Sequence, residues 1–198
     1  MKYKEIILAS SSPRRIEVMK SARIPFRSIP SEYHEDMNRD LSAEDLAMFL
    51  ARGKAKEVSQ RHKGCVVIGA DTFIVHNKRK LGKPKNAQEA RELLHSLSGQ
   101  CVEVISGVCI IHEEPGYDVA FHDRSRIYMR EIPEELIEKY IDTKIPFDRA
   151  GGFGIQDIGG RFIKKIEGDY NSILGLPLFK ILTELYRIDE NLISIDFA

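Results

Sequence analysis

Several signals that often sort a protein at first sight are missing from this chain. Lys plus Arg and Asp plus Glu both number 30, so no net charge steers it toward nucleic acid, membrane surfaces or acidic partners. No basic stripe with interleaved aromatics is present that could track a phosphodiester backbone, so neither nucleic acid nor membrane is expected as a partner. Any affinity for anions must be local. Cysteine is scarce: Cys65, Cys101 and Cys109 are odd in number and lack CxxC spacing, which argues against a disulfide framework or a zinc site and fits a reducing cytoplasm. The six histidines show no HxxxH or HExxH spacing, which disfavours a histidine metal site or a histidine-based triad. No segment reaches the ~18 apolar residues of a membrane span, and the apolar stretch in "MKYKEIILASSSPRR" is too short for a signal peptide. The expectation is a soluble, unprocessed, cytoplasmic protein. Its 198 residues suffice for a real core, with one compact unit as the default and two small lobes as the alternative.

What is there alternates between strands and helices. "KEIILAS" reads as a buried strand, and "SSPRRIEVMKSA" as a helix with Ser12 as its cap, Pro13 in its first turn and Ile16 and Met19 inward. After the broken segment "RIPFRSIPSEYHED", Ser42 and Asp45 form a capping pair for a helix to about residue 62, with Leu46, Phe49, Leu50 and Val58 on one stripe. "VVIGADTFIV" reads as a strand and "HNKRK" as a basic hairpin. A helix follows from Asn86 through Leu97, then strands at "CVEVISGVCIIH" and at about 118 to 129, joined at "EEPGY". Pro133 opens "PEELIEKYID". Between Gly151 and Gly168 lie six of the fourteen glycines, a density that suggests special backbone conformations or a ligand close to the main chain. A last helix runs from about Leu176 to Tyr186. The class is α/β with a mixed sheet.

Four fragments could carry chemistry. "ASSSPRR" places Ser10 and its neighbours at a helix N-terminus, where free backbone N–H groups and the dipole favour an anion, and Arg14 and Arg15 add forks that match phosphate. A plain capped helix with solvated arginines is the alternative. Leu46, Leu50, Lys54 and Val58 recur at intervals of four, so Lys54 rises from an apolar face and must snorkel or meet a negative partner. Lys83 in "LGKPK" sits between Gly82 and Pro84, a stiff setting that also suits a solvated turn residue. Asp71 is the one carboxylate in "VVIGADTFIV", and burying it unpaired would cost several kcal/mol. Its candidate partners are Arg14, Lys54 and Lys83, or a divalent cation shared with Glu32 or Glu35 of "SEYHED". A structural ion pair or a cap at the strand end is the more common explanation of such a residue taken alone, and Thr72 would then be a simple strand former.

Taken together the fragments resemble the Maf family of nucleotide pyrophosphatases. "LASSSPRR", "LARGKA", "GADTFIV" with "LGKPKNAQEA", "AGGFGIQDIGG" and "EGDYNSILGLPL" match the family's motifs in order and spacing over about residues 5 to 180. The resemblance implies a single Maf-like domain over residues 1–198, with an elongated mixed sheet flanked by helices and two lobes around a cleft, as in the ITPase-like proteins. It implies hydrolysis of a nucleoside triphosphate to the monophosphate and pyrophosphate, and it admits a homodimer. The proton acceptor of the ADT motif falls on Asp71. The residues linked to base choice fall on Arg14, Thr72 and Gln156, and the motif lysines on Lys54 and Lys83, with Ser10 and Arg15 in the same substrate-binding turn. Mg²⁺ or Mn²⁺ would bridge phosphate oxygens and the carboxylates of Glu35 and Asp71. ADT combined with GIQ resembles the branch that acts on dTTP and UTP, whereas relatives with SDQ and no GIQ favour methylated guanine nucleotides. A Gln at position 156 presents both donors and an acceptor, which suits a uracil or thymine edge. Cys101 and Val102 stand where the family often has His or Thr, and "SIDFA" lies outside the resemblance. The family's association with septum formation leaves a second reading, a nucleotide sensor or division regulator with little hydrolysis.

Overall fold

The apolar β-branched run after the N-terminus forms β1 (Ile6–Leu8), whose three side chains are all buried. β1 pairs in parallel with β2 (Arg27–Ser28) and β3 (Val66–His76). The structure, a computed structural model, describes residues 4–37, 39–114 and 116–193. Parallel neighbours need long crossovers, and the chain supplies α1 (Pro13–Ser21) between β1 and β2 and α2 (Ala43–Arg61) between β2 and β3. β4 (Arg79–Leu81) folds back antiparallel on β3 through Asn77 and Lys78, both at positive φ (48° and 63°), as the basic hairpin predicts. The sheet continues through β5 (Cys101–His112) and β6 (Tyr117–Met129) to β7 (Ile163–Glu167), in the order β2-β1-β3-β5-β6-β7. The remaining helices are α3 (Ala87–Leu97), α4 (Glu134–Asp142), α5 (Tyr170–Ile173) and α6 (Leu178–Ile188). The mixed α/β class read from the sequence is what the chain adopts.

Contacts divide the chain into two compact units. The first comprises the described residues up to Thr72, Ser106–Asp123 and those from Asn171 onward; the second comprises Phe73–Ile105 and Arg124–Tyr170. In the first, Ser42 Oγ accepts from Asp45 N at 3.0 Å and starts α2 as the capping pair predicts. Ala51, Ala55 and Val58 of α2 pack with Ile7, Val67 and Cys109. Two strand glycines let the helix settle this close. A Cβ at Gly69 would lie 2.2 Å from Ala51 O, and one at Gly107 would lie 2.3 Å from the Ala47 carbonyl carbon.

In the second unit α3 and α4 pack together, and the Tyr140 ring meets Phe162 edge-on at 5.1 Å. The glycine-rich stretch is a series of short turns followed by β7, a strand that the glycine density hides from sequence reading. Its glycines serve its own packing. Gly151 and Gly152 have φ of 71° and 72°, while a Cβ at Gly154 would lie 2.2 Å from Asp157 Oδ2 and one at Gly159 would lie 2.7 Å from the Tyr140 hydroxyl.

All three cysteines are free, with Cys65 and Cys109 buried and Cys101 exposed. Among the described residues no helix is long and apolar enough to cross a membrane. The tail "SIDFA" lies outside the described residues.

Candidate functional site

The end of β1 sets the serine turn. Ala9 N donates to Ile68 O (2.8 Å), extending the pairing with β3, and the buried Ser10 then turns the chain, its Oγ accepting from Ser12 N at 3.1 Å. Ser12 occupies the cap position of α1, but its side chain makes no capping bond; its carbonyl starts the helix by accepting from Ile16 N at 3.0 Å. That corrects the expectation of Ser12 as a side-chain cap. Val18 and Met19 are the buried residues of α1, with Ile16 only half-buried.

Arg15 leaves the first turn of α1 and is held by neutral groups. Its Nε donates to Gly175 O and its Nη2 to Thr72 Oγ1, each at 3.1 Å. Among the described residues it forms no ion pair. Burial lowers its pKa below the ordinary arginine value, and the nearby Asp71 carboxylate opposes that shift. A guanidinium remains protonated in such a setting. Arg15 is thus a half-buried cation fixed beside a carboxylate it does not touch. Arg14, its neighbour, is half-buried.

Lys54 does meet a negative partner. Its side chain, 12% exposed, places Nζ 2.5 Å from Asp71 Oδ1 and 2.9 Å from Glu35 Oε1. Lys54 is thus the cation paired with Asp71. Ser10, Ser11, Ser12, Arg15, Ser31, Tyr33, Glu35 and Lys54 line one concavity of about 210 Å³.

The chain from Ser31 to Glu35 is positioned from α2. Glu57 Oε2 accepts from Ser31 Oγ (2.9 Å) and Glu32 N (3.0 Å), and its carboxylate also binds Arg61, which holds its pKa below the ordinary value. Tyr33 lies across Gly53, where a Cβ would sit 2.3 Å from the ring. A glycine inside a helix costs about 1 kcal/mol relative to Ala, and here it makes room for that ring. Sequence reading singled out neither Glu57 nor Tyr33, and only the helix-interior glycine hinted at the second.

Lys83 and Gln156 belong to the second unit. Lys83 is exposed and pairs with Asp148 at 2.6 Å. Gln156 is exposed, and the next residue, Asp157, anchors its turn by accepting from Gly159 N (2.8 Å), Tyr140 OH (3.1 Å) and Arg149 Nε (3.0 Å).

Glu35 and Asp71 offer oxygen donors that suit a hard divalent cation completed by phosphate oxygens and water. Among the described residues no cluster of three or more His, Cys, Asp or Glu can hold a metal ion, so a cation here would draw its further ligands from substrate and solvent.

A mixed α/β sheet carrying a serine turn, a partly buried arginine and a lysine-bridged pair of carboxylates defines a protein with a polar concavity beside a buried carboxylate–lysine pair. Comparison with known proteins makes this specific: the Maf-like protein family model matches residues 5–188, and the chain belongs to that family. A Bacillus cytotoxicus protein named dTTP/UTP pyrophosphatase is 43% identical over 187 residues, covering 94% of this chain and 97% of the relative. A Bacillus cereus protein of the same name is 43% identical over 186 residues, covering 94% and 96%. The solved structure of a HAM1 protein from Coxiella burnetii is similar in fold, with a TM-score of 0.51 at 18% identity, covering 92% of this chain and 98% of that one.

Proposed function

We propose that this protein is a nucleoside triphosphate pyrophosphatase that hydrolyses dTTP and UTP to the monophosphate and pyrophosphate. The observation that carries the reading is the buried Asp71–Lys54 pair beside the pocket formed by the serine turn and Arg15. The relatives named dTTP/UTP pyrophosphatase, alike over nearly their whole length, support the substrate class.

In this reading the triphosphate lies against the N–H groups of the Ser10–Ser12 turn and the Arg15 guanidinium. Asp71 accepts a proton from the water that attacks the α-phosphorus, and pyrophosphate leaves. Lys54, 2.5 Å from Asp71, orients that carboxylate and supplies positive charge where charge develops in the transition state. Mg²⁺ or Mn²⁺ held by Glu35 and Asp71 would neutralise phosphate charge when bound. For Arg14, Lys83 and Gln156 the proposed contact with substrate rests on the SPRR, GKP and GIQ motifs, and Thr72 of the ADT motif would act on the substrate through Arg15. The reading treats residues 1–198 as one functional Maf-like domain that includes both units.

The test is a screen of purified protein against common and modified nucleoside triphosphates, with phosphate and pyrophosphate assayed separately. Pyrophosphate release fastest from dTTP and UTP is expected. Retention of nucleotide without pyrophosphate release would instead identify a sensor.

A further inference from the structure

Thr72 lies in the motif linked to base choice, yet its hydroxyl is committed elsewhere. The directions of its hydrogen bonds follow from chemistry alone. Arg15 Nη2 can only donate, so Thr72 Oγ1 accepts from it at 3.1 Å. Ser172 O can only accept, so the Ser106 hydroxyl proton is spent on it at 2.7 Å. The 2.9 Å contact between Thr72 Oγ1 and Ser106 Oγ must then be Thr72 donating to Ser106.

The same Ser172 carbonyl accepts from Gly175 N at 2.9 Å, and Gly175 O accepts from Arg15 Nε at 3.1 Å. The bonds close a ring through Arg15, Thr72, Ser106, Ser172 and Gly175. Ser106 and Ser172 are fully buried. Gly175 has φ of 99°, and a Cβ there would lie 3.0 Å from both Arg15 Nε and Thr72 Oγ1, so glycine is needed for the ring to close.

We propose that this ring fixes the plane of the Arg15 guanidinium, and that Thr72 and Ser106 are positioning residues for phosphate binding, not readers of the base. Two of the five guanidinium N–H donors are tied to the ring, which leaves three for a ligand in the pocket that Arg15 lines. A fork held in advance loses less entropy when it grips phosphate. The inference rests on the proposed function for the identity of the ligand, and on the ring's geometry for the role of these residues.

The experiment compares the unmodified protein with Thr72→Val, Thr72→Ser and Ser106→Ala. It measures binding of inorganic tripolyphosphate, which has no base, and kcat and KM for dTTP, UTP and ATP. Thr72→Val and Ser106→Ala should weaken tripolyphosphate binding and raise KM roughly tenfold for every nucleotide, the scale of a lost hydrogen-bond support to a charged group. The ratio of dTTP to ATP turnover should stay constant. Thr72→Ser keeps the hydroxyl and should bind tripolyphosphate as the unmodified protein does. Should Ser106→Ala not fold, the Val and Ser variants of Thr72 still decide. Unchanged tripolyphosphate binding in Thr72→Val, or a changed base preference with intact tripolyphosphate affinity, would overturn the proposal. If the unmodified protein cleaves no pyrimidine triphosphate while tripolyphosphate affinity still falls as described, the function is wrong and the ring stands.

Discussion

Asp71 has one ion-pair partner among the described residues, Lys54 at 2.5 Å, whereas Lys54 has a second, Glu35 at 2.9 Å. Removing either side of the pair therefore has unequal consequences. Lys54→Met leaves a buried carboxylate without its cation and should destabilise the fold by about 3–5 kcal/mol. Asp71→Asn leaves Lys54 paired to Glu35, so the fold should persist while turnover falls ~100-fold or more. Chemical denaturation and steady-state turnover of both variants check this, and equal stability losses would show that the pair is not coupled in this way.

Two glycines near Lys54 should respond differently to Ala. At Gly69 the new Cβ meets the backbone of α2, 2.2 Å from Ala51 O. The helix must lift, costing about 1–3 kcal/mol or more and drawing Lys54 from Asp71. At Gly53 the three atoms nearest the Cβ all belong to the far end of the Tyr33 ring, a side chain that can swing aside. A gain of helix propensity then offsets the displacement, and stability should change by less than about 1 kcal/mol. Thermal melts distinguish the two, and a Gly69→Ala variant as stable as Gly53→Ala would contradict the seating of α2 on β3.

Glu57 predicts an acid limb. Its pKa is lowered in the folded protein, first by the hydrogen bond to Arg61, from an ordinary value of 4.5. A lowered carboxylate pKa means that the unfolded chain binds the proton first, so this contribution is present above about pH 4.5 and is lost as pH falls toward the folded value. Because Glu57 also holds Ser31 and Glu32, acid should loosen the segment that carries Tyr33 and Glu35. Stability followed from pH 6 to pH 3 should fall less steeply for Glu57→Gln than for the unmodified protein; parallel curves would remove Glu57 from the acid response.

Much of the fold was legible because each signal was local. Ser42 with Asp45 and the hairpin at Asn77 and Lys78 are such signals, and the structure keeps both. β2 was missed because two residues carry no period, and β7 because glycines precede it. At the site, Lys54 was legible as a charge on an apolar stripe. Ser106, Ser172 and Gly175 were not, since a buried hydroxyl or carbonyl has meaning only through partners far along the chain: Thr72 lies 34 residues from Ser106, and Arg15 lies 160 from Gly175. The glycines around Gln156 were open to two readings, and packing against Asp157 and Tyr140 accounts for those at 154 and 159.

Gln156 carries the proposed base preference, and Asp157 holds its turn from below through Gly159, Tyr140 and Arg149. Gln156→Ala should reduce the preference for dTTP and UTP over ATP and GTP by roughly tenfold, the effect of one unpaired polar group, with the melting temperature nearly unchanged. Competition assays with paired nucleotides give the ratio directly. An unaltered ratio would assign base choice elsewhere.

In the proposed reaction water, deprotonated by Asp71, attacks the α-phosphorus. Hydrolysis of dTTP in ¹⁸O-labelled water, with both products read by mass spectrometry, tests it most directly. The account predicts one labelled oxygen in the monophosphate and none in pyrophosphate, at a rate cut ~100-fold by Asp71→Asn with the label position unchanged. Label in pyrophosphate, or release of inorganic phosphate from the γ-position, would contradict it.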